Sequence, residues 1–181
     1  MKIDSRDEGS ADKGAPAFEE AFCTLFDQQF PSLFRYLHRL TGDADLADDL
    51  AQEVFVRLYQ RGSLPDDSRG WMGAVANNLL RDYRRTGKRR LRLLETRRDA
   101  IDVGRSPPAA DEKVLTDESR TSVRRALDKL SERDRRMLLL RHEGYSYREI
   151  AHALGVSETS IGTLLLRATA AFHAAFRGTN S

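Results

Sequence analysis

Apolar residues recur at three- and four-residue intervals along nearly the whole chain, and no segment alternates apolar with polar, so the pattern predicts helices and no strands. A first helix begins near Ala17 and carries Phe18, Phe22, Leu25 and Phe26. Pro31 is expected to kink or break it, because proline lacks the N–H a helix needs and its ring abuts the preceding turn. Leu33, Phe34, Leu37 and Leu40 resume the pattern as far as Thr41-Gly42. The second helix is the most regular. Asp43 stands before it as an N-cap, and Ala47, Leu50, Ala51, Val54, Phe55 and Leu58 fall on one face. Arg61-Gly62-Ser63-Leu64-Pro65 ends it. A third helix, 68–86, is predicted to bury Met72, Val75, Ala76, Leu79 and Tyr83, with Trp71 at its start.

From residue 87 the pattern lapses. Arginine-rich sequence gives way to Gly104-Arg105-Ser106-Pro107-Pro108-Ala109-Ala110, which has no core-forming period and reads as a linker. Helical spacing returns in 114–129 through Val114, Leu115, Val123, Ala126, Leu127 and Leu130, and continues in 133–142, 147–154 and 157–176. The fold class expected is all-α, two small helical domains joined by a flexible linker. Their bounds are a disordered lead-in at 1–16, a first domain at 17–90, the linker at 91–113 and a second domain at 114–177.

Composition narrows the class. Of 181 residues, 40% are hydrophobic and 32% charged, as in a soluble protein with a charged surface. No run approaches the roughly 18 apolar residues of a membrane span. The charged first 16 residues do not resemble a signal peptide, so a cytoplasmic location without membrane insertion is expected. Cys23 is the only cysteine, which excludes an internal disulfide and a cysteine-rich zinc site. Between Phe22, Leu25 and Phe26 it is expected to be a small buried hydrophobe. His38, His142, His152 and His173 are scattered, with no metal-ligand spacing and no phosphate-cradling glycine loop. No catalytic set, metal or cofactor is therefore expected.

Charge adds a partner. Residues 81–98 hold nine arginines and lysines against Asp82 and Glu95, a net charge of +7. Such a run implies a polyanion, with a nucleic-acid phosphate backbone the obvious candidate; the alternative is a solvated basic helix end.

The second domain carries the sharper motif. Ser131 precedes Glu132-Arg133-Asp134, and Ser146-Tyr147-Arg148-Glu149 has capping-box spacing. Ile150, Ala151 and Leu154 follow, then Gly155 ends the short helix and Val156-Ser157 opens the last one. A short helix, a glycine turn and a capped helix form the helix-turn-helix layout, whose second helix enters the major groove. An ordinary helical hairpin is the alternative.

These residues resemble region 4 of bacterial sigma factors: Leu130-Ser131-Glu132-Arg133-Asp134-Arg135, Gly144-Tyr145-Ser146-Tyr147-Arg148-Glu149-Ile150-Ala151 and Gly155-Val156-Ser157. In the first domain, residues 43–55, Trp71-Met72, Val75-Ala76-Asn77-Asn78-Leu79, Asp82 and Arg84-Arg85 resemble region 2 of the same family. The order of the two, with only a linker between them, is similar to the extracytoplasmic-function (ECF) sigma factors, and the resemblance covers about residues 18–177.

The resemblance implies a promoter-specificity subunit, not an enzyme. Asp49, Gln52 and Glu53, on an acidic face of the second helix with Asp45 and Asp48, would meet the clamp helices of the largest subunit of core RNA polymerase. The flap of the second-largest subunit is a further expected contact. Asn78, Arg81, Arg84, Arg85, Lys88 and Arg89 would meet the minus-ten element of promoter DNA, whereas Asn77 stands where the family usually has a basic residue. The loop 61–70 is where relatives capture a flipped-out base, and Trp71 either stacks a base or packs inward. Tyr147, Arg148, Ser157, Thr159, Ser160, Thr163 and Arg167 would meet the minus-thirty-five element. Between 157 and 171 only Arg167 is basic, so weak or unusual reading is expected there. Phe172 and Phe176 either close the core or contribute to a surface for an anti-sigma factor. A stand-alone helix-turn-helix regulator and a non-transcribing interaction module remain the alternative functions.

Overall fold

The computed structural model describes residues 14–95 and 114–178, with side chains described for 16–87 and 120–178. The described residues form seven helices: α1 (Gly14–Thr41), α2 (Ala44–Arg61), α3 (Ser68–Glu95), α4 (Val114–Asp128), α5 (Glu132–His142), α6 (Tyr147–Leu154) and α7 (Glu158–Arg177). Residues 1–13 and 96–113 lie outside the described residues, and with them most of the expected lead-in and linker.

Local signals fix α2 as expected. The Leu46 N–H donates to the Asp43 carboxylate at 3.0 Å, all six apolar positions are buried, and Gly62 ends the helix at φ +71°. The expected break at Pro31 does not occur, and α1 runs through it. Losing the proline hydrogen bond costs about 3 kcal/mol. Leu33, Tyr36, Leu37 and Leu40 are all buried beyond it, and each such side chain contributes about 1.5–3 kcal/mol. Burial therefore wins over the local defect. Before it, Phe22, Phe26 and Phe30 pack on Phe55 with ring centroids 6.1, 4.8 and 5.9 Å away. Cys23 is exposed, contrary to expectation, because one helical step turns it off that aromatic face.

α3 continues nine residues beyond Thr86, so the arginine run begins on a helix. Its buried positions also differ from those predicted. Met72, Ala76 and Leu80 are buried together with Gly73 and Asn77, Val75 and Leu79 are half-buried, and Tyr83 is 53% exposed. The cause is α6, which packs along α3 in addition to α1 and α2 and widens the covered part of it.

In the C-terminal unit α4, α5 and α6 all pack on α7. Ser131 caps α5 by accepting from the Asp134 N–H at 3.2 Å. The capping box of α6 is closed both ways, Glu149 N–H to Ser146 Oγ at 3.3 Å and Ser146 N–H to Glu149 Oε2 at 2.6 Å. Gly155 then turns the chain at φ +66°, and the Val156 N–H reaches the Ala151 carbonyl at 3.0 Å. One contiguous apolar core runs from Leu33 in α1 to Leu165 in α7.

A Cβ at Gly155 would meet nothing within 4 Å, so substitution there tests backbone conformation alone. Gly155→Ala is expected to lower the unfolding free energy by about 1–2 kcal/mol, read as a lower urea midpoint at unchanged m-value.

Candidate nucleic-acid interface

The acidic face on α2 is present, with a different internal pairing from that expected. Asp49 and Gln52 are exposed and Glu53 is half-buried. Gln52 Nε2 donates to Asp48 Oδ2 at 2.6 Å, and Glu53 pairs with Arg57 at 2.8 Å. Beside this face lies an apolar hollow of about 530 Å³ between Phe22, Phe26, Phe55, Val56 and Tyr59. Val56 and Tyr59 went unnoticed in the sequence; their signal was two large apolar residues off the buried stripe of α2.

At the far end of α3, Asn78, Arg81 and Arg85 are exposed. Arg81 donates to Asn78 Oδ1 at 2.9 Å, and Arg85 lies 3.7 Å from Asp82. Arg84 is directed elsewhere: it pairs with Glu132 of α5 and donates to the Leu40 carbonyl at 3.2 Å. Lys88 and Arg89 are on the α3 backbone, and their side chains lie outside the described residues. Trp71 packs inward against the core.

Asn77 explains its own departure from the family pattern. It is buried, with Oδ1 accepting from the Tyr36 hydroxyl at 2.8 Å and Nδ2 donating to the Ala153 carbonyl at 3.1 Å. A cation at this point would be desolvated beside the Tyr36 hydroxyl and the Ala153 carbonyl, whereas an amide is satisfied on both sides. The loop 61–70 is likewise closed onto α6. The Gly70 N–H donates to Asp67 Oδ1 at 2.9 Å, and Asp67 Oδ2 is 2.8 Å from His152 Nδ1.

The helix-turn-helix leaves its reading face open. Tyr147, Arg148, Ser157, Thr159, Ser160, Thr163 and Arg167 are all exposed. The Arg141 guanidinium lies over the Tyr147 ring at 5.6 Å. Ser157 makes no side-chain cap to α7; its hydroxyl pairs with Thr159 at 2.8 Å. Leu166 is 72% exposed on the same side as Thr163 and Arg167. Phe172 and Phe176 are half-buried and stacked at 5.9 Å.

Polar ties join the two units. Arg69 donates to the carbonyls of Gly144 at 3.2 Å and Glu143 at 3.1 Å, and its guanidinium lies over the Tyr145 ring at 4.3 Å. The Glu143 carboxylate, 3% exposed, is held by Arg39 and by Arg35 at 2.9 Å. Burial pushes the Tyr145 hydroxyl from its ordinary 10.0 up to about 12, against an opposing pull from Arg69. Tyr36 is raised further, again by burial.

An acidic helix face and a basic helix end on one unit, with an open helix-turn-helix on the next, define a two-region DNA-binding protein of the sigma-70 type. Residues 25–90 match the family model for sigma-70 region 2, and residues 120–171 match that for sigma-70 region 4. The chain is 31% identical to the ECF RNA polymerase sigma factor SigL of Mycobacterium tuberculosis, over 84% of this chain and 87% of that protein. It is 30% identical to ECF RNA polymerase sigma factor SigX of Bacillus subtilis, over 80% and 78%. It is 31% identical to ECF RNA polymerase sigma factor BldN of Streptomyces coelicolor, spanning 82% of this chain and 58% of BldN. The fold is similar to that of the sigma factor RpoE, solved in complex with the anti-sigma factor NepR from Bartonella quintana, with TM-score 0.65, 18% identity and coverage of 87% and 98%. It is also similar to CnrH, solved in complex with the cytosolic domain of CnrY, with TM-score 0.63, 20% identity and coverage of 92% and 94%. The chain belongs to the ECF RNA polymerase sigma factors, and its function is that of a sigma factor in transcription initiation.

The raised tyrosines give the fold an alkaline limit. A phenol raised in the folded state contributes stability that is complete below its unfolded value of 10.0 and is lost as pH rises toward 12. The thermal midpoint is expected to hold up to about pH 9.5 and fall steeply between pH 10 and 12. Tyr145→Phe should flatten that fall in a pH series of melting curves.

Proposed function

We propose that the chain directs core RNA polymerase to promoters by dividing the work between its units. The α2 face of Asp49, Gln52 and Glu53 docks on the clamp helices of the largest polymerase subunit, and the second unit meets the flap of the second-largest. Asn78, Arg81, Arg85, Lys88 and Arg89 engage the minus-ten region, with Arg84 joining them once released from Glu132. Tyr147, Arg148, Ser157, Thr159, Ser160, Thr163 and Arg167 meet the minus-thirty-five element. The observation that carries this reading is that Asp49 and Gln52 on α2, Asn78, Arg81 and Arg85 on α3, and Ser157, Thr159, Ser160, Thr163 and Arg167 at and along α7 are all exposed.

The protein contributes binding and positioning, without catalysis of its own, and acts in the cytoplasm. In support of the location, no helix among the described residues is long and apolar enough to cross a membrane. An anti-sigma factor is a further proposed partner. A largely apolar groove of about 260 Å³ between Arg39, Val123, Leu127, Leu138, His142 and Phe172 suits an apolar helix face, and Phe172 belongs to it.

Run-off transcription with purified core polymerase and genomic promoter fragments tests the function, with new transcripts expected. Duplex binding without polymerase and no transcripts would favour a stand-alone regulator. Core binding with silence at every promoter would favour an interaction module. Gln52→Ala with Glu53→Arg should abolish co-purification with core polymerase, since it puts a second cation beside Arg57 where an anion stood. Arg81→Ala and Arg85→Ala should each reduce the slope of log affinity against log salt by about 1. An unchanged slope would remove these two from the phosphate contacts.

A further inference from the structure

We propose that α7 reads thymine methyl groups in the major groove, with Leu166 as the residue that sets this preference. The inference rests on the reading above in that α7 meets duplex DNA, and it deepens that reading by naming the base.

Helical geometry sorts α7 into two faces. Ile161, Leu165 and Ala168 are buried against the rest of the C-terminal unit. At about 100° per residue, Thr159, Thr163, Leu166 and Ala170 fall on the opposite side, and all of them are exposed. Each of these side chains ends in methyl. Leu166, at 72%, is the most exposed large hydrophobic among the described residues. Gly162, one turn before it, has no side chain to cover it. The Tyr147 ring lies 3.7 Å from where a Cβ at Gly162 would be, so ring and leucine flank the same bare patch of helix.

A single exposed leucine is ordinary on a protein surface. What sets this one apart is the chemistry missing around it. In the major groove, guanine is met by Arg or Lys, adenine by Asn or Gln and cytosine by Asp or Glu, whereas the thymine methyl is met by apolar carbon. Residues 158–171 contain no Asn, Gln or Lys. Their one arginine, Arg167, and their one acid, Glu158, stand to either side of the methyl stripe. The Thr159 hydroxyl is already paired with Ser157 at 2.8 Å. Thymine is therefore the base this stripe has the groups to recognise. From Thr159 to Ala170 it runs about 16 Å, the rise of about five base pairs, so more than one methyl comes within its reach.

Uracil in place of thymine removes the methyl and leaves every hydrogen-bonding group of the base pair unchanged, which isolates the contact. Randomised duplexes built with thymine, or with uracil in its place, are offered to the full chain with core polymerase and, separately, to the chain alone. The retained thymine duplexes are expected to be enriched in T·A pairs, and uracil should weaken their binding about fourfold for each methyl lost. Leu166→Ala, at an exposed position, should keep its helix content and melting midpoint, bind the thymine duplexes less tightly and shrink the uracil penalty by about the same factor. Equal retention of both pools by the unsubstituted chain overturns the proposal. So does a uracil penalty that Leu166→Ala leaves untouched, which would put the methyl effect in DNA shape or in another element. A Leu166→Ala chain that binds both pools like the unsubstituted one assigns the leucine to a protein partner and overturns it equally. Run-off transcription decides the promoter reading separately. Transcripts without a uracil penalty sink methyl reading alone, and a uracil penalty without transcripts sinks the promoter reading alone. Retention of neither pool sinks both.

Discussion

The hydrogen bond from Asn77 to the Ala153 carbonyl ties together two halves of the chain that each have their own local logic. It exists because Gly73 and Ala153 leave no bulk between α3 and α6, and because Tyr36 satisfies the other end of the same amide. A buried amide with one free end would cost about 1–3 kcal/mol. Placing α6 against α3 therefore also fixes the face that α1 turns toward both. From that contact follow the wider buried arc of α3, the closure of the Asp67 loop onto His152 and the single apolar core.

The parts of the fold governed by neighbours in sequence were legible in it. The apolar stripe and Asp43 cap of α2, and the capping box and Gly155 of α6, depend on residues within four positions of one another. The helix does not break at Pro31 because the local penalty is set against the Leu33, Tyr36, Leu37 and Leu40 contacts beyond it. Nothing near Asn77 in sequence explained an amide where the family usually has a basic residue, since the carbonyl it donates to lies 76 residues away. Tyr83 shows the reverse error: helical period places it on a face, but among the described residues it is 53% exposed.

Charge was legible as an amount and less so as an assignment. Arg35, Arg39, Arg69 and Arg84 bind acids or carbonyls inside the molecule, while Arg81 and Arg85 face solvent. The Glu143 carboxylate is almost fully covered while its partners Arg35 and Arg39 remain in contact with water, so removing the arginines would leave a covered anion unpaired. Arginine content alone does not distinguish a tie from a contact surface. The geometry of each fork does.

Gly162 sits on the recognition helix with the Tyr147 ring 3.7 Å from where its Cβ would be. With hydroxyls and Leu166 around it, the 157–171 stretch that includes the start of α7 offers DNA a surface of methyl and hydroxyl groups with a single arginine, Arg167. Contacts of that kind release few counterions, whereas those of the arginine-bearing α3 end release many. In the proposed reading, the two halves of a promoter would therefore be weighted differently as ionic strength changes. Rising salt would discount the downstream, minus-ten end first and leave the duplex-reading helix comparatively intact, making the intracellular ionic environment itself a modulator of which promoters this sigma factor favours.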